Sequence, residues 1–161
     1  MKYCPECKSD MNTRSVDGES RLACSKECGY VFWNNPIPAS AGLIEINGKF
    51  LLARNQAWPA GFFSLISGFI ERGESPENAM IRETEEELGL KATSVEFIGH
   101  YPFPPMNQLM IAYVVKTEGE VNLSDELSEY ILLSKAELVS YDFGALKLGR
   151  TVVDQWLSQQ A

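Results

Sequence analysis

The stretch from Gly68 to Leu90 constrains the chain most, because it concentrates carboxylates on one short helix. It reads GFIERGESPENAMIRETEEELGL. Ser75 is a favoured N-cap, Pro76 suits the first helical position, and Gly89 suits the left-handed residue that ends a helix. Five of the thirteen residues between these caps are glutamates. The sequence therefore predicts a short, strongly acidic helix that follows a glycine-containing loop.

Three of the glutamates share one face of this helix. At about 100° per residue, Glu83, Glu86 and Glu87 fall within an arc of roughly 100°. Like charges at this spacing repel, and Arg82 is the only basic residue between the caps. A hard divalent cation held by carboxylate oxygens, Mg2+ or Mn2+, would relieve that repulsion. The alternative interpretation is an acidic surface helix without a ligand.

The spacing within this stretch resembles a known signature. Gly68, Glu74 and the run RETEEELGL that starts at Arg82 match the Nudix box, G-x5-E-x7-R-E-U-x-E-E-x-G-U, where U is apolar. Every fixed position matches, and only Thr84 is less apolar than the pattern asks. The chain therefore looks like a Nudix hydrolase. The resemblance implies an α/β fold, an α/β/α sandwich with a mixed sheet, over residues 36–161.

The resemblance also implies roles for the acidic helix. In this family such carboxylates hold divalent ions, which neutralise pyrophosphate oxygens and lower the pKa of a bound water. Glu83, Glu86 and Glu87 are the corresponding magnesium ligands in this sequence. Either Glu83 or Glu86 would accept the proton of the water, and the sequence leaves that choice open. Arg82 would orient one of these carboxylates.

Further site residues are expected outside the acidic face. By resemblance, a backbone carbonyl just before the box glycine joins the metal shell, which is Ser67 here, and Glu74 is an auxiliary ligand or a support. A glutamate in an E-L-x-E stretch adds a distal metal ligand; Glu126 matches that position, and Glu129 is the alternative. A solvated acidic loop is the competing interpretation of the stretch. Arg54 is a candidate substrate-binding residue.

All four cysteines lie near the N-terminus, as Cys4-Pro-Glu-Cys7 and Cys24-Ser-Lys-Glu-Cys28. Two pairs separated by 16 residues have the spacing of a structural zinc site with four cysteine ligands. The alternatives are two disulfides or metal-free thiols, but no secretion signal supports an oxidising compartment. The sequence therefore predicts a structural zinc ribbon over residues 1–35. Ribbon and box together resemble the NADH pyrophosphatases and a shorter group of ADP-ribose and FAD pyrophosphatases.

Composition narrows the expected partners. The net charge of −8 argues against a general nucleic-acid-binding surface. Within residues 1–35, five Lys and Arg balance five Asp and Glu, so the ribbon has no net charge for gripping nucleic acid. No apolar run is long enough to span a membrane, and the N-terminus lacks an apolar signal region, so a cytoplasmic protein is expected. The expected partner is a small nucleotide, and homodimers are common in the resembling families.

The remaining segments fit strands and helices of one domain. Ala39–Glu45 and Lys49–Arg54 are predicted strands that Asn47-Gly48 joins in a hairpin. On the acidic helix, Ile81, Thr84 and Leu88 are expected to pack onto the core. Further strands are predicted at 64–70, 94–101, 109–115 and 130–133, with helices after Ser134 and over 144–160.

A proline-rich aromatic segment bears on specificity. Tyr101-Pro-Phe103-Pro is similar to the Trp-Pro-Phe-Pro core of the SQPWPFPxS signature of NADH pyrophosphatases, but Gly99-His100 replaces the preceding Ser-Gln. Tyr101 and Phe103 are therefore candidates for stacking on a base, with a core or loop anchor as the alternative. The expected function is hydrolysis of the diphosphate linkage of ADP-ribose or FAD, and after these NADH. The alternative is a non-catalytic module that senses a nucleotide or RNA and docks through its ribbon.

Overall fold

The structure is a computed structural model that describes residues 1–160, apart from the side chain of Leu146. The chain divides into two units, residues 1–35 and the remainder from Pro36 onward. In the first unit, β1 (Met11–Val16), β2 (Glu19–Cys24) and β3 (Val31–Phe32) form an antiparallel sheet in that order. Its small core contains the buried residues Cys4, Met11 and Cys24.

The second unit is a mixed sheet covered by helices on both faces. Its strands are β4 (Ile37–Ile46), β5 (Lys49–Asn55), β6 (Ile66–Phe69), β7 (Lys91–Phe103), β8 (Gln108–Glu118) and β9 (Leu127–Leu133), and its helices are α1 (Pro76–Leu88), α2 (Lys135–Ser140) and α3 (Leu148–Gln159). The strand order is β7-β8-β4-β5-β9, with β6 also paired to β4. Strand β4 is parallel to β8, and the other pairs are antiparallel. The predicted α/β/α architecture with a mixed sheet is confirmed.

Strand β4 is the centre of this unit because both of its faces are buried. Successive side chains of a strand point to opposite faces. Ala41 and Leu43 belong to the core cluster that includes residues of α2 and α3, whereas Ile44 belongs to the cluster that includes residues of α1. On the α1 face, the Ser40 hydroxyl donates to the Pro76 carbonyl over 2.8 Å. This bond ties the first turn of the acidic helix to the central strand.

The predicted caps of the acidic helix are confirmed, but one predicted core residue is wrong. The Ser75 side chain accepts a bond from the Asn78 amide, and Gly89 ends the helix at φ 65°. Thr84 is buried as expected, whereas Ile81 is 38% exposed and Met80 is buried instead. The buried stripe is centred nearer Met80 and Thr84, so Ile81 lies at its edge. Consequently Glu83 and Glu87 border the buried stripe and are partly covered.

The other elements follow the prediction with shifted ends. The Asn47-Gly48 hairpin is present, with both residues at positive φ. The predicted helix over 144–160 begins only at Leu148, after a short 3-10 turn, because Lys147 takes a left-handed conformation at φ 46°. Among the helices of the described residues, none is both long and apolar enough to cross a membrane.

Candidate active site

Strand β6 brings Gly68 directly against the acidic helix. A Cβ atom on Gly68 would overlap the carboxyl group of Glu83. Gly68 pairs with Ser40 of the central strand, so its backbone position is fixed by the sheet. A glycine is therefore required at position 68, because the Glu83 side chain occupies the space that the Cβ atom of any other residue would fill.

Arg82 is the hub of hydrogen bonds in this site. Its Nε and Nη2 atoms donate to the two carboxylate oxygens of Glu74 over 3.0 and 3.1 Å. Its Nη1 atom donates to Glu83 Oε1 over 2.8 Å and to Glu86 Oε2 over 3.0 Å. Nη2 also donates to the Phe69 carbonyl over 3.0 Å. One guanidinium thus links the loop before α1 to two of its acidic side chains.

The acidic residues of the site have different pKa values because their surroundings differ. Burial raises the pKa of Glu87 to about 7, and the charges of Glu83, Glu126 and Glu86 add to the effect. Burial also raises the pKa of Glu83, although Arg82 opposes that rise. Hydrogen bonds from Arg82 lower the pKa of Glu74. The ionised form of Glu87 is therefore disfavoured by its surroundings, and a bound cation would stabilise that form.

Three of the predicted metal ligands line one small cavity. Its volume is about 90 Å³, and it is lined by Ser67, Glu87 and Glu126 together with Asn55 and Trp58, and with apolar residues of the strands. The cavity lies where β5 and β6 diverge along the same edge of β4, beyond the Ala53–Ser64 bridge. Oxygen ligands from three separate segments are thus gathered at one opening, a donor set that suits Mg2+ or Mn2+.

The other predicted residues lie elsewhere. Arg54 Nε contacts Glu129 Oε1 at 2.6 Å, and its Nη1 donates to the Trp58 carbonyl over 3.0 Å, so its guanidinium is already engaged. Glu129, the alternative distal ligand, is held by that ion pair. Tyr101 and Phe103 pack against the core cluster that includes residues of α2 and α3, on the opposite sheet face from α1. They line a separate groove of about 330 Å³.

Two aromatic residues of this region, Phe69 and Trp58, are not among the site residues that the sequence predicts. Phe69, whose carbonyl accepts from Arg82, has a side chain that is 55% exposed. Trp58 lines the cavity and packs edge-on against Phe62, with ring centroids 5.3 Å apart. Strand alternation offered a signal for Phe69, because it lies on the opposite side of β6 from the buried Ile66. No comparable periodicity marks Trp58, which lies in an irregular loop.

The four cysteines converge in the N-terminal unit. Their Sγ atoms all lie within 4.8 Å of one another. Cys4 Sγ lies 3.5 Å from Cys28 Sγ, and Cys7 Sγ lies 3.4 Å from Cys24 Sγ. Hydrogen bonds from Ser9 lower the pKa of the Cys7 thiol to about 6, which favours the thiolate that a metal binds. The cluster can hold one metal ion in a site with four sulfur ligands.

Comparison with known proteins identifies the second unit. The family model of the NUDIX domain matches residues 36–155. The NAD-capped RNA hydrolase NudC of Pseudomonas aeruginosa is 30% identical over 121 residues, 74% of this chain and 42% of that protein. The human mitochondrial NAD(P)H pyrophosphatase NUDT13 is 29% identical over 139 residues, 85% of this chain and 38% of that protein. The chain thus spans about two fifths of the length of these curated relatives.

A solved structure extends the likeness to most of the chain. The crystal structure of a Nudix hydrolase from Nitrosomonas europaea superimposes with a TM-score of 0.78 at 25% identity, and the match covers 97% of this chain and 88% of that one. The Nudix domain of Shewanella oneidensis NrtR, crystallised with ADP ribose, matches with a TM-score of 0.64 at 14% identity, which concerns the fold alone. The match to the Nitrosomonas protein extends into residues 1–35 as well.

Proposed function

The chain belongs to the Nudix family, and from this premise we propose that it is a divalent-metal-dependent pyrophosphohydrolase of nucleoside-diphosphate-X substrates. The observation that carries the proposal is the cavity at which Ser67, Glu87 and Glu126 meet, beside Glu83 and Glu86 on α1. A module that only binds nucleotides has no need of so many adjacent carboxylates, which repel one another unless a cation is bound.

The proposed magnesium ligands are Glu83, Glu86, Glu87, Glu126 and the carbonyl of Ser67. Bound divalent ions would neutralise the pyrophosphate oxygens and lower the pKa of the attacking water. Arg82 positions Glu83 and Glu86 through its Nη1 atom, and Glu74 fixes the guanidinium through two bonds. Glu74 is therefore proposed as a support.

We assign the proton acceptor to Glu86. Its side chain is 60% exposed, whereas that of Glu83 is 13% exposed and packed over Gly68. Arg82 engages Oε2 of Glu86, which leaves Oε1 to accept the proton of the water. The water oxygen then forms a bond to one phosphorus, the bridging P–O bond breaks, and the products are a nucleotide and a phosphorylated X.

The proposed substrates are ADP-ribose, FAD and NADH, which share an adenosine diphosphate joined to a second group. The human relative is named an NAD(P)H pyrophosphatase, which supports NADH, and NudC is named an NAD-capped RNA hydrolase, which also supports a substrate that contains nicotinamide. Phe69 has an exposed side chain, and its backbone carbonyl accepts from Arg82. Its ring, on the side of β6 opposite Ile66, is a candidate to stack on a base or on the nicotinamide ring. The cysteine cluster is proposed to hold a structural zinc ion, because four sulfur ligands leave no open position for catalysis.

The test is a panel of these three substrates at equal concentrations, with Mg2+ or Mn2+ and without either. We expect AMP and the matching phosphorylated product only when the metal is present. In 18O-labelled water, one product should carry a single labelled oxygen. Absence of product from every substrate with both metals, in protein that binds these nucleotides, would favour the non-catalytic module.

A further inference from the structure

The three-stranded sheet of residues 1–35 presents two arginines and a tryptophan in a row on one face. Arg14 and Arg21 are direct partners in the β1–β2 register, so their side chains project from the same face. Leu22 pairs with Phe32, and Trp33 follows directly, next to Arg21 across the sheet. The Arg21 guanidinium lies over the Trp33 ring, 4.9 Å from its centroid.

The positive charges of this row are only partly balanced by neighbouring carboxylates. Like charges directly opposite each other on neighbouring strands are destabilising. Arg14 has a single exposed ion pair, to Glu27 at 3.3 Å, and Arg21 has no carboxylate at ion-pair distance among the residues that the structure describes. The Nε atoms of both arginines are buried without a hydrogen-bond partner in the same part of the chain. An anion that bridges the two guanidinium groups would remove the repulsion.

The tryptophan adds a second recognition element. Trp33 is 47% exposed although it is a large aromatic residue, and Arg21 covers one side of its ring. Exposed aromatic rings next to cations are how proteins hold single-stranded nucleic acids, since bases stack on the rings while the cations contact phosphates. Neighbouring strands lie about 4.8 Å apart, so the row extends over roughly 10 Å, enough for one base and its flanking phosphates.

We propose that Arg14, Arg21 and Trp33 form a contact site for single-stranded nucleic acid. The balanced charge of residues 1–35 does not oppose this assignment, because Arg21 has no carboxylate at ion-pair distance among the described residues, and its guanidinium can therefore contact a phosphate. Arg14 would exchange its exposed contact with Glu27 for a second phosphate. An acidic peptide would satisfy the arginines but would leave the tryptophan ring unused, so the row fits a nucleic acid better. The proposal concerns this sheet alone and does not depend on the hydrolytic activity.

The test is the binding of a fluorescein-labelled ten-nucleotide single-stranded RNA to the full chain, with single-stranded DNA and duplex RNA of the same sequence as further arms. We expect W33A to weaken binding of single strands by at least about 5-fold, the loss of one stacked base. R14Q/R21Q should make the slope of log affinity against log salt shallower by about 1.4, which corresponds to two phosphate contacts on a single strand. The duplex should bind more weakly than either single strand.

Matched variants separate this site from general charge and from misfolding. K26Q removes a cation of the same unit outside the row, and Y3A removes another exposed aromatic residue; both should bind like the wild type. R14K/R21K keeps the charges and should retain the salt slope, whereas E27Q frees Arg14 and should strengthen binding. Hydrolysis of a small dinucleotide should be unchanged in all of them. Equal binding by W33A, R14Q/R21Q and the wild type, or a preference for the duplex, would overturn the proposal.

Discussion

The two candidate metal-binding clusters in this chain are built in opposite ways. The cysteine cluster is already assembled, with all four Sγ atoms within 4.8 Å of one another. In the described residues no group of carboxylates converges in that manner. Instead Arg82 draws Glu83 and Glu86 to itself, while Glu87 is left half-buried beside the cavity. The cysteine cluster would surround a metal ion completely, whereas the carboxylate cluster would leave positions on a metal ion free for substrate and water.

The two arrangements suit different chemical roles. A closed set of soft sulfur ligands has no position for substrate, so its effect is on folding. The carboxylates of α1 can release their contacts with Arg82 and bind a metal ion instead, and that ion can bind a phosphate of the substrate. The carboxylate cluster should therefore affect catalysis. If this contrast is correct, damage to the first cluster should appear in stability and damage to the second in turnover.

The largest expected effect is loss of the N-terminal fold in C4S/C24S. Structural zinc contributes roughly 10–16 kcal/mol of binding free energy that is also folding free energy. The variant should no longer bind the zinc ion proposed for this cluster, and the amides of β1 and β2 should lose protection from hydrogen exchange. Turnover of a small dinucleotide should change little, because the proposed catalytic carboxylates lie in the other unit.

The matched control is S25A, which alters the same turn but removes no sulfur ligand. It should keep its zinc and its exchange protection. Retained protection in C4S/C24S would mean that the fold of residues 1–35 does not need the metal. A large loss of turnover in C4S/C24S would contradict the separate roles assigned to the two clusters.

The second effect is on turnover in E86Q and E87Q. Each substitution removes a proposed ligand or proton acceptor without changing the shape of the side chain, so kcat should fall by at least about 100-fold. Circular dichroism should report an unchanged fold. E85Q is the control, since Glu85 is an exposed glutamate of the same helix, and its kcat should equal that of the wild type. Full activity in both E86Q and E87Q would refute the metal assignment.

The third effect is on positioning, in G68A. The added methyl group overlaps the Glu83 carboxyl group and must push it aside. Loss of such support should lower kcat by about 10- to 100-fold, with a smaller change in KM. S67A is the control in the adjacent residue: only the backbone carbonyl of Ser67 is proposed as a ligand, so its kcat should be nearly unaffected. Equal losses in the two variants would point to a general disturbance of β6.

Much of the architecture could be predicted because its signals are local. Ser75, Pro76 and Gly89 mark the ends of α1 by capping chemistry, and Asn47-Gly48 marks a hairpin. Periodicity alone misjudged the buried stripe of α1. The reason is that the position of Met80 depends on Gly42 of the central strand, where even a Cβ atom would meet the Met80 sulfur at 2.8 Å. That contact is set by the tertiary fold.

The sequence predicts which residues are candidates for the site, but it does not predict how they are arranged in space. The spacing of the box indicated the acidic face of α1, but no sequence signal shows that Arg54 pairs with Glu129, or that Tyr101 lies on the opposite sheet face from α1. Both facts follow from strand pairing across distant segments. The divergence of β5 and β6 that opens the cavity is likewise a property of the sheet.

The smallest expected effect is on the pH dependence of stability in magnesium-free buffer. Glu87 has a pKa of about 7 in the folded chain, against about 4.3 for an unfolded glutamate. Between these values the folded state binds more protons, so the free energy of unfolding should fall as pH rises through this window. Allowing for partial solvent screening, the fall from Glu87 should be about 1–3 kcal/mol.

E87Q isolates this contribution, because glutamine does not titrate. In urea unfolding at pH 5 and pH 8, the variant should lose less stability than the wild type over the same interval, and at pH 8 it should be the more stable of the two. Addition of Mg2+ at pH 8 should stabilise the wild type more than the variant, since the ion replaces the missing proton on Glu87. Identical pH profiles would mean that Glu87 is solvated in the folded chain, and the carboxylate cluster would then lack the strain that distinguishes it from the cysteines.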